Sequence, residues 1–186
     1  MQPQFRFKEE WETFAVAEGL FYEPLEFFLR PVINDPEQLK YYRDWYKKSG
    51  RVTALHGTFI DVNPASGDPL FSELSRRRCH ESCQLALELG AKQIVLHSSI
   101  YPFLSGYYLD NWIAASADFF MELADCYPLG IRLENSQDIV PGPLKKVMER
   151  ISGSDVSICL DIGHCQYAQA SQEEWFNELG EYVTYI

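Results

Sequence analysis

Short runs of β-favouring apolar residues alternate with longer amphipathic segments along almost the whole chain, and this alternation constrains the fold more than any other feature. The β-type runs are Leu20 to Phe28, Val52 to His56, Gln93 to His97, Gly130 to Glu134, Val156 to Asp161 and Tyr182 to Ile186. Between them the spacing predicts helices. Lys8 to Glu18 carries Trp11, Phe14 and Ala15 at helical intervals, and Asp35-Pro36 opens a second helix with Leu39, Tyr42 and Tyr46 on one face. A third runs from about Phe71 to Leu89 and stops at Gly90. The next has Leu109, Trp112, Ile113, Ser116, Phe119, Phe120, Leu123, Ala124 and Tyr127 on a single stripe. Pro141 begins another, and Ser171 with Glu174 forms a capping box for a short one through Trp175 and Leu179.

Alternating β and α segments with near-continuously apolar strands predict a parallel α/β sheet covered on both faces. Doubly wound sheets and β/α barrels both satisfy that pattern. No Gly-rich phosphate loop follows a strand, which argues against a dinucleotide-binding fold. No linker or repeat interrupts the 186 residues, so one domain is expected, although a complete eight-stranded barrel takes ~250 residues.

The net charge is −11, from 27 acids against 16 bases. Such a balance works against phosphate backbones and anionic membranes, so nucleic acid is a disfavoured partner and no membrane is expected. No apolar run approaches the ~18 residues of a membrane span, and the N-terminus lacks the pattern of a signal peptide. Five cysteines, an odd number without a C-x-x-C pair, read as reduced and mostly buried thiols, and the expected location is cytoplasmic.

The residues with chemistry in them fall in a regular place. His56, His97, Glu134 and Asp161 each stand at the end of a β-type run. In a parallel barrel the C-terminal strand ends converge on one mouth, so two imidazoles and two carboxylates are expected to meet there. That is a ligand set for a divalent metal such as zinc, manganese or iron. His80, in mid-helix, is expected to serve packing or the surface.

Four segments carry a resemblance: HGTFIDVNPASGDP (His56 to Pro69), IVLHSS (Ile94 to Ser99), LEN (Leu133 to Asn135) and CLDIGH (Cys159 to His164). In order and spacing they resemble the xylose-isomerase-like β/α barrel superfamily, which holds sugar and sugar-phosphate isomerases and epimerases as well as zinc-dependent apurinic endonucleases. The resemblance runs from about residue 19 to 186. It implies a TIM-type (β/α) barrel with parallel strands in sequential order and helices outside.

It also implies roles. Glu134 resembles the strand-end glutamate that binds metal in both branches and is the catalytic carboxylate, and Asp161 resembles the metal-binding aspartate of the next strand. His56 and His97 resemble histidines that bind zinc in the endonucleases and often line the sugar pocket in the isomerases. His164 resembles a histidine that takes a further zinc or touches substrate. Asn135 and Glu26 are expected to line the pocket, with Tyr22, Phe59, Tyr101 and Phe103 as an apolar wall. His97, Glu134 and Asp161 are expected to share one cleft, with His56 and His164 at its rim.

The resemblance further implies that the sequence covers six or seven of eight βα units, incomplete at the C-terminal end. A histidine after the seventh strand and a glutamate after the eighth, which complete the isomerase metal set, would fall beyond Ile186. Unclosed strands expose apolar faces and unpaired edges. Exposing ~500 Å² at ~25 cal/mol per Å² would forfeit on the order of 12 kcal/mol, comparable with the ~5–15 kcal/mol stability of a domain. Further residues, or a second copy covering the open side as a homo-oligomer, are therefore expected. The function that follows is a metal-dependent isomerase or epimerase of a small sugar or sugar phosphate. The alternatives are a non-catalytic sugar- or metabolite-binding barrel with a partial metal site and, disfavoured by the charge, an endonuclease-like repair enzyme.

Overall fold

The computed structural model describes residues 19–21, 35–49 and 54–186. Among these residues six strands form one sheet: β1 (Gly19–Phe21), β2 (Ala54–His56), β3 (Gln93–His97), β4 (Gly130–Glu134), β5 (Val156–Cys159) and β6 (Val183–Tyr185). Every neighbouring pair is parallel and the order is sequential, β1 to β6. A doubly wound sheet would reverse direction at a switch point. The unswitched order is that of a TIM-type barrel. The helix expected over 8–18, the continuation of the first strand to Phe28, and with it Glu26 and Tyr22, lie outside the described residues.

Among the described residues five helices alternate with these strands: α1 (Pro36–Ser49), α2 (Pro69–Leu89), α3 (Gly106–Cys126), α4 (Gly142–Arg150) and α5 (Gln172–Leu179). Helix α2 starts two residues earlier than its apolar spacing suggests. Asp68 caps it, accepting from the N–H groups of Leu70 and Phe71, with Pro69 at the first position. At the other end Gly90 takes the left-handed conformation, φ 85°, that ends the helix. Ser171 and Glu174 make the reciprocal capping box of α5. The helix ends at Leu179, with Gly180 as its C-cap, and the chain makes a 3-10 turn over Gly180–Tyr182 before entering β6.

Strand alternation sorts side chains between two environments. Ile94, Leu96, Ile131, Leu133 and Ile158 face the helices and join Leu123, Phe119, Leu144 and Trp175 in one fully buried core. The opposite face, lined by Gln93, Val95, His97, Arg132, Glu134, Ser157 and Cys159, is the inner face of the sheet. It is largely polar. Arg132 donates through Nε to Gln93 Oε1 at 3.0 Å, and Ser157 Oγ bonds Thr184 Oγ1 at 2.5 Å. Gly130 makes room for that guanidinium, since a Cβ there would lie 2.3 Å from it.

Cys79, Cys83, Cys159 and Cys165 are buried, Cys126 is exposed, and all five are free. Burial pushes the Cys79 thiol up to about 12, which keeps it inert. Among the described residues no helix is long and apolar enough to cross a membrane. His80 joins α2 to α3, with Nδ1 2.9 Å from Tyr127 Oη and Nε2 3.1 Å from Glu122 Oε1, well away from the strand ends.

Candidate metal centre

The C-terminal ends of β2, β3, β4 and β5 bring five of the sequence-selected side chains together. Glu134 is the hub. Its Oε2 lies 3.2 Å from His56 Nε2, and its Oε1 lies 3.7 Å from His97 Nε2 and 3.4 Å from His164 Nδ1. His164 Nδ1 is also 3.7 Å from Asp161 Oδ2. Two overlapping groups result, His56–His97–Glu134 and Glu134–Asp161–His164, each with its ligand atoms within 4.8 Å of one another.

Electrostatics at the hub are decided by competition. Burial alone would raise the Glu134 carboxyl, but hydrogen bonds from His164 and His56 outweigh it and hold the group well below the usual carboxylate range. His97 goes the other way. Burial, reinforced by the neighbouring His56 ring, pushes His97 down to about 4, so its ring is neutral at ordinary pH. The bond to Glu134 lifts His164 to about 9.

The donor set fits a divalent cation. His56 Nδ1 lies 2.8 Å from the Gly57 carbonyl, which can only accept, so Nδ1 carries a proton and Nε2 faces the Glu134 carboxylate. A lone pair aimed at an anionic oxygen requires a cation between them, a proton or a metal. An imidazole that donates its second N–H to a backbone carbonyl is the usual orientation of a metal-ligating histidine. In His164 a single atom, Nδ1, donates to the Asn135 carbonyl, 2.8 Å away, and also faces Glu134 and Asp161.

Supporting contacts fix these groups. Asn135, buried, holds the β4 end to the loop after β5: its Oδ1 accepts the Asp161 N–H at 2.7 Å and its Nδ2 donates to the Asp161 carbonyl at 3.1 Å. Asp161 Oδ1 in turn accepts the His164 N–H at 2.8 Å. Gly57 is needed because a Cβ there would stand 2.5 Å from Leu96 Cδ2 and 3.2 Å from Ser82 Cβ. Gly163 leaves space beside the Asp161 carboxylate, 3.0 Å from where its Cβ would be.

A cleft of ≈ 450 Å³ opens beside the centre, with His97 and His164 on one wall. Phe59 meets the His56 ring edge-on, centroids 5.4 Å apart, and lies tilted 5.2 Å from the His97 ring. Tyr101, Ser99, Ser136 and Gln137 continue the lining. Asp61 and Ser99, both on this cleft, hold left-handed backbone at φ 52° and 55°, a conformation non-glycine residues rarely adopt.

Two expectations need correction. His56 is not at the rim; it is 6% exposed. The register pairs His56 with Val95, two residues short of His97, so it sits one layer deeper in the sheet. Asn135 does not line the cleft, because both ends of its amide are spent on Asp161. His164, partly exposed, does stand at the rim. Of the expected aromatic wall, Phe59 and Tyr101 line the cleft, while Phe103 is 90% exposed. Ser98 and Asp138, which link the β3 and β4 ends, escaped the sequence reading, although Asp138 stands only four residues after Glu134.

Comparison with known proteins agrees with the barrel topology. Residues 14–186 match the family described as xylose isomerase-like TIM barrel. An uncharacterized protein of Methanocaldococcus jannaschii is 27% identical over 143 residues, covering 72% of this chain and 48% of that protein. The chain thus spans about half the length of that curated relative. A Thermus thermophilus protein, solved after soaking with zinc chloride, superposes with a TM-score of 0.73 at 19% identity, over 91% of this chain and 68% of that one. A D-tagatose 3-epimerase-like protein gives 0.72 at 22% identity, over 94% and 68%. Endonuclease IV from Thermus thermophilus gives 0.64 at 15% identity, over 94% and 67%. At these identities the likeness establishes the fold.

Proposed function

The chain belongs to the xylose isomerase-like TIM barrel family, and on that premise we propose that it is a metal-dependent isomerase or epimerase of a sugar or sugar phosphate. The observation that carries this reading is one ionised carboxylate, Glu134, set among three imidazoles and beside Asp161 at the edge of a cleft. Glu134 and Asp161 would hold a divalent ion, zinc or manganese, with His56 and His97 completing the surroundings of Glu134. Such an ion polarises a carbonyl and stabilises negative charge on neighbouring oxygens.

The protein's own groups supply the rest. Isomerising a hydroxy-ketone moves a proton between carbons beside a carbonyl, which requires a base and an acid within reach. Glu134, held ionised, is the base at its Oε atoms. His164, which keeps its proton to about 9, is the acid beside it. Phe59 shields His56 and His97 from water on the cleft side. Ser99, Ser136 and Gln137 offer hydroxyl and amide groups to a polyol.

A second reading has its own observation. The group His56–His97–Glu134 shares Glu134 with the other, and paired metal sites serve phosphodiester hydrolysis. Endonuclease IV shares the fold. The net charge of −11 argues against DNA as the substrate.

The test is deuterium exchange. With manganese or zinc added in D₂O, a panel of ketoses and ketose phosphates should lose proton signal beside the carbonyl. Glu134→Gln should slow the exchange by ~10²–10⁴-fold. Metal uptake with no exchange on any sugar would leave the non-catalytic binding barrel, and cleavage of an abasic duplex would favour the second reading.

A further inference from the structure

Asp138 lies in the loop after β4 and is 5% exposed, a carboxylate with no basic side chain bonded to it among the described residues. Its Oδ2 accepts two hydrogen bonds, from Ser98 Oγ at 2.5 Å and from the Ser136 N–H at 2.9 Å. Its Oδ1 is buried without a hydrogen-bond partner among those residues. Burial pushes the group up to about 6. Burying a carboxylate in this way is costly, and the bond to Ser98 spans 40 positions, so it is not a local turn contact.

The bond closes a second link between two strand ends. Ser98, fully buried and next to His97, already donates its backbone N–H to the Glu134 carbonyl at 2.9 Å. With its hydroxyl on Asp138, Ser98 is held to β4 and its loop at both ends. The next residue, Ser99, holds its left-handed conformation on the cleft wall, and Ser136, tied to the same Asp138 oxygen, lines the same cleft. One carboxylate oxygen therefore fixes the backbones immediately after His97 and Glu134.

We propose that Asp138 is a positioning residue that holds the His97 and Glu134 strand ends at the separation the metal centre requires. It acts through Ser98 and Ser136 and touches neither ligand. The inference rests on the metal-centre reading above, and cobalt(II) is the probe that separates the two. Partners of this kind typically change metal affinity by ~10–100-fold. Asp138→Ala should therefore weaken cobalt uptake by about that factor and shift the visible absorption of the bound ion. Asp138→Asn, whose carbonyl oxygen can accept both bonds, should restore the wild-type spectrum and most of the affinity. Ser98→Ala, which leaves Asp138 bonded to Ser136, should reproduce the loss and carries the test if Asp138→Ala does not fold.

In the metal-free protein the His97 ring resonances should move in Asp138→Ala and Ser98→Ala and return in Asp138→Asn, while those of His80 stay in place. Cobalt binding and spectra unchanged in both variants, with His97 unmoved, would overturn the proposal and leave the metal centre standing. If the wild-type protein takes up no cobalt, the metal-centre reading fails. The metal-free His97 resonances then decide on Asp138 alone, a shift supporting its positioning role and no shift overturning it.

Discussion

At Glu134 burial and hydrogen bonding pull in opposite directions, and the bonds win. His97 and His164 then divide the pH axis. His97 titrates at about 4 in the folded chain against an ordinary 6.5, so between those values the unfolded chain binds more protons and stability rises with pH. Glu134 acts in the same sense: its contribution is present above the ordinary carboxylate range and is lost as pH falls below it. His164 reverses the sign. Its folded value of about 9 lies above 6.5, so its contribution is present below 6.5 and fades as pH rises towards 9. With a third of the side chain exposed, solvent screening keeps that amplitude well below the full linkage value. Asp138, lifted to about 6, works against His97 below that value, so urea midpoints of the metal-free chain should change little from pH 4 to 6 and decline from about 6.5 towards 9, and His164→Gln should flatten the alkaline limb. A wild-type midpoint still climbing at pH 8 would contradict this assignment. The strand-end residues were readable in the sequence because strand ends converge in any parallel barrel. The depth of His56 was not, since it depends on the stagger between β2 and β3, and no pattern of residue types encodes that.

Helix ends and loops divide into parts that carry stability and parts that carry the site. The Ser171 capping box starts α5, an eight-residue helix anchored by the fully buried Trp175 and Leu179. Ser171→Ala should cost ~1 kcal/mol. It should appear as a lower urea midpoint with unchanged slope and unchanged cobalt binding. Gly57→Ala tests the opposite case. Its methyl would press on Leu96 and Ser82 directly after His56, where overpacking typically costs ~1–3 kcal/mol. Cobalt affinity should fall along with stability, because the displaced segment carries His56 and Phe59. Equal cobalt affinity in Gly57→Ala and wild type would show that the loop yields without moving the ring. The capping box was plain in the sequence as Ser171 followed by Glu174, since a cap is a local pattern. The crowding at Gly57 was not, because Leu96 is remote in sequence and meets it only after β2 and β3 pair.

The candidate ligands come from four separate strand ends, β2, β3, β4 and the turn after β5, so whatever they hold in common ties most of the sheet together. Parallel pairing brings those ends to the same side, where the Glu134 carboxylate is shared among the imidazoles. A bound ion stabilises the folded state only to the extent that it binds that state in preference to the unfolded one, by ~2.7 kcal/mol at a hundredfold excess over its dissociation constant. For a chain of 186 residues this corresponds to a rise of about 5–10 °C in thermal midpoint. Zinc or manganese should produce that rise, and a chelator should reverse it. Glu134→Ala, which removes the shared carboxylate, should abolish the response, whereas Glu122→Ala, on the outer helices beside His80, should leave it intact. Amide exchange should slow together in β2, β3, β4 and β5, because an ion joining four strands penalises any opening that separates one of them. Protection confined to the loop after β5 would mean that Asp161 and His164 bind the ion without the other strands, and that the five side chains do not act as one centre.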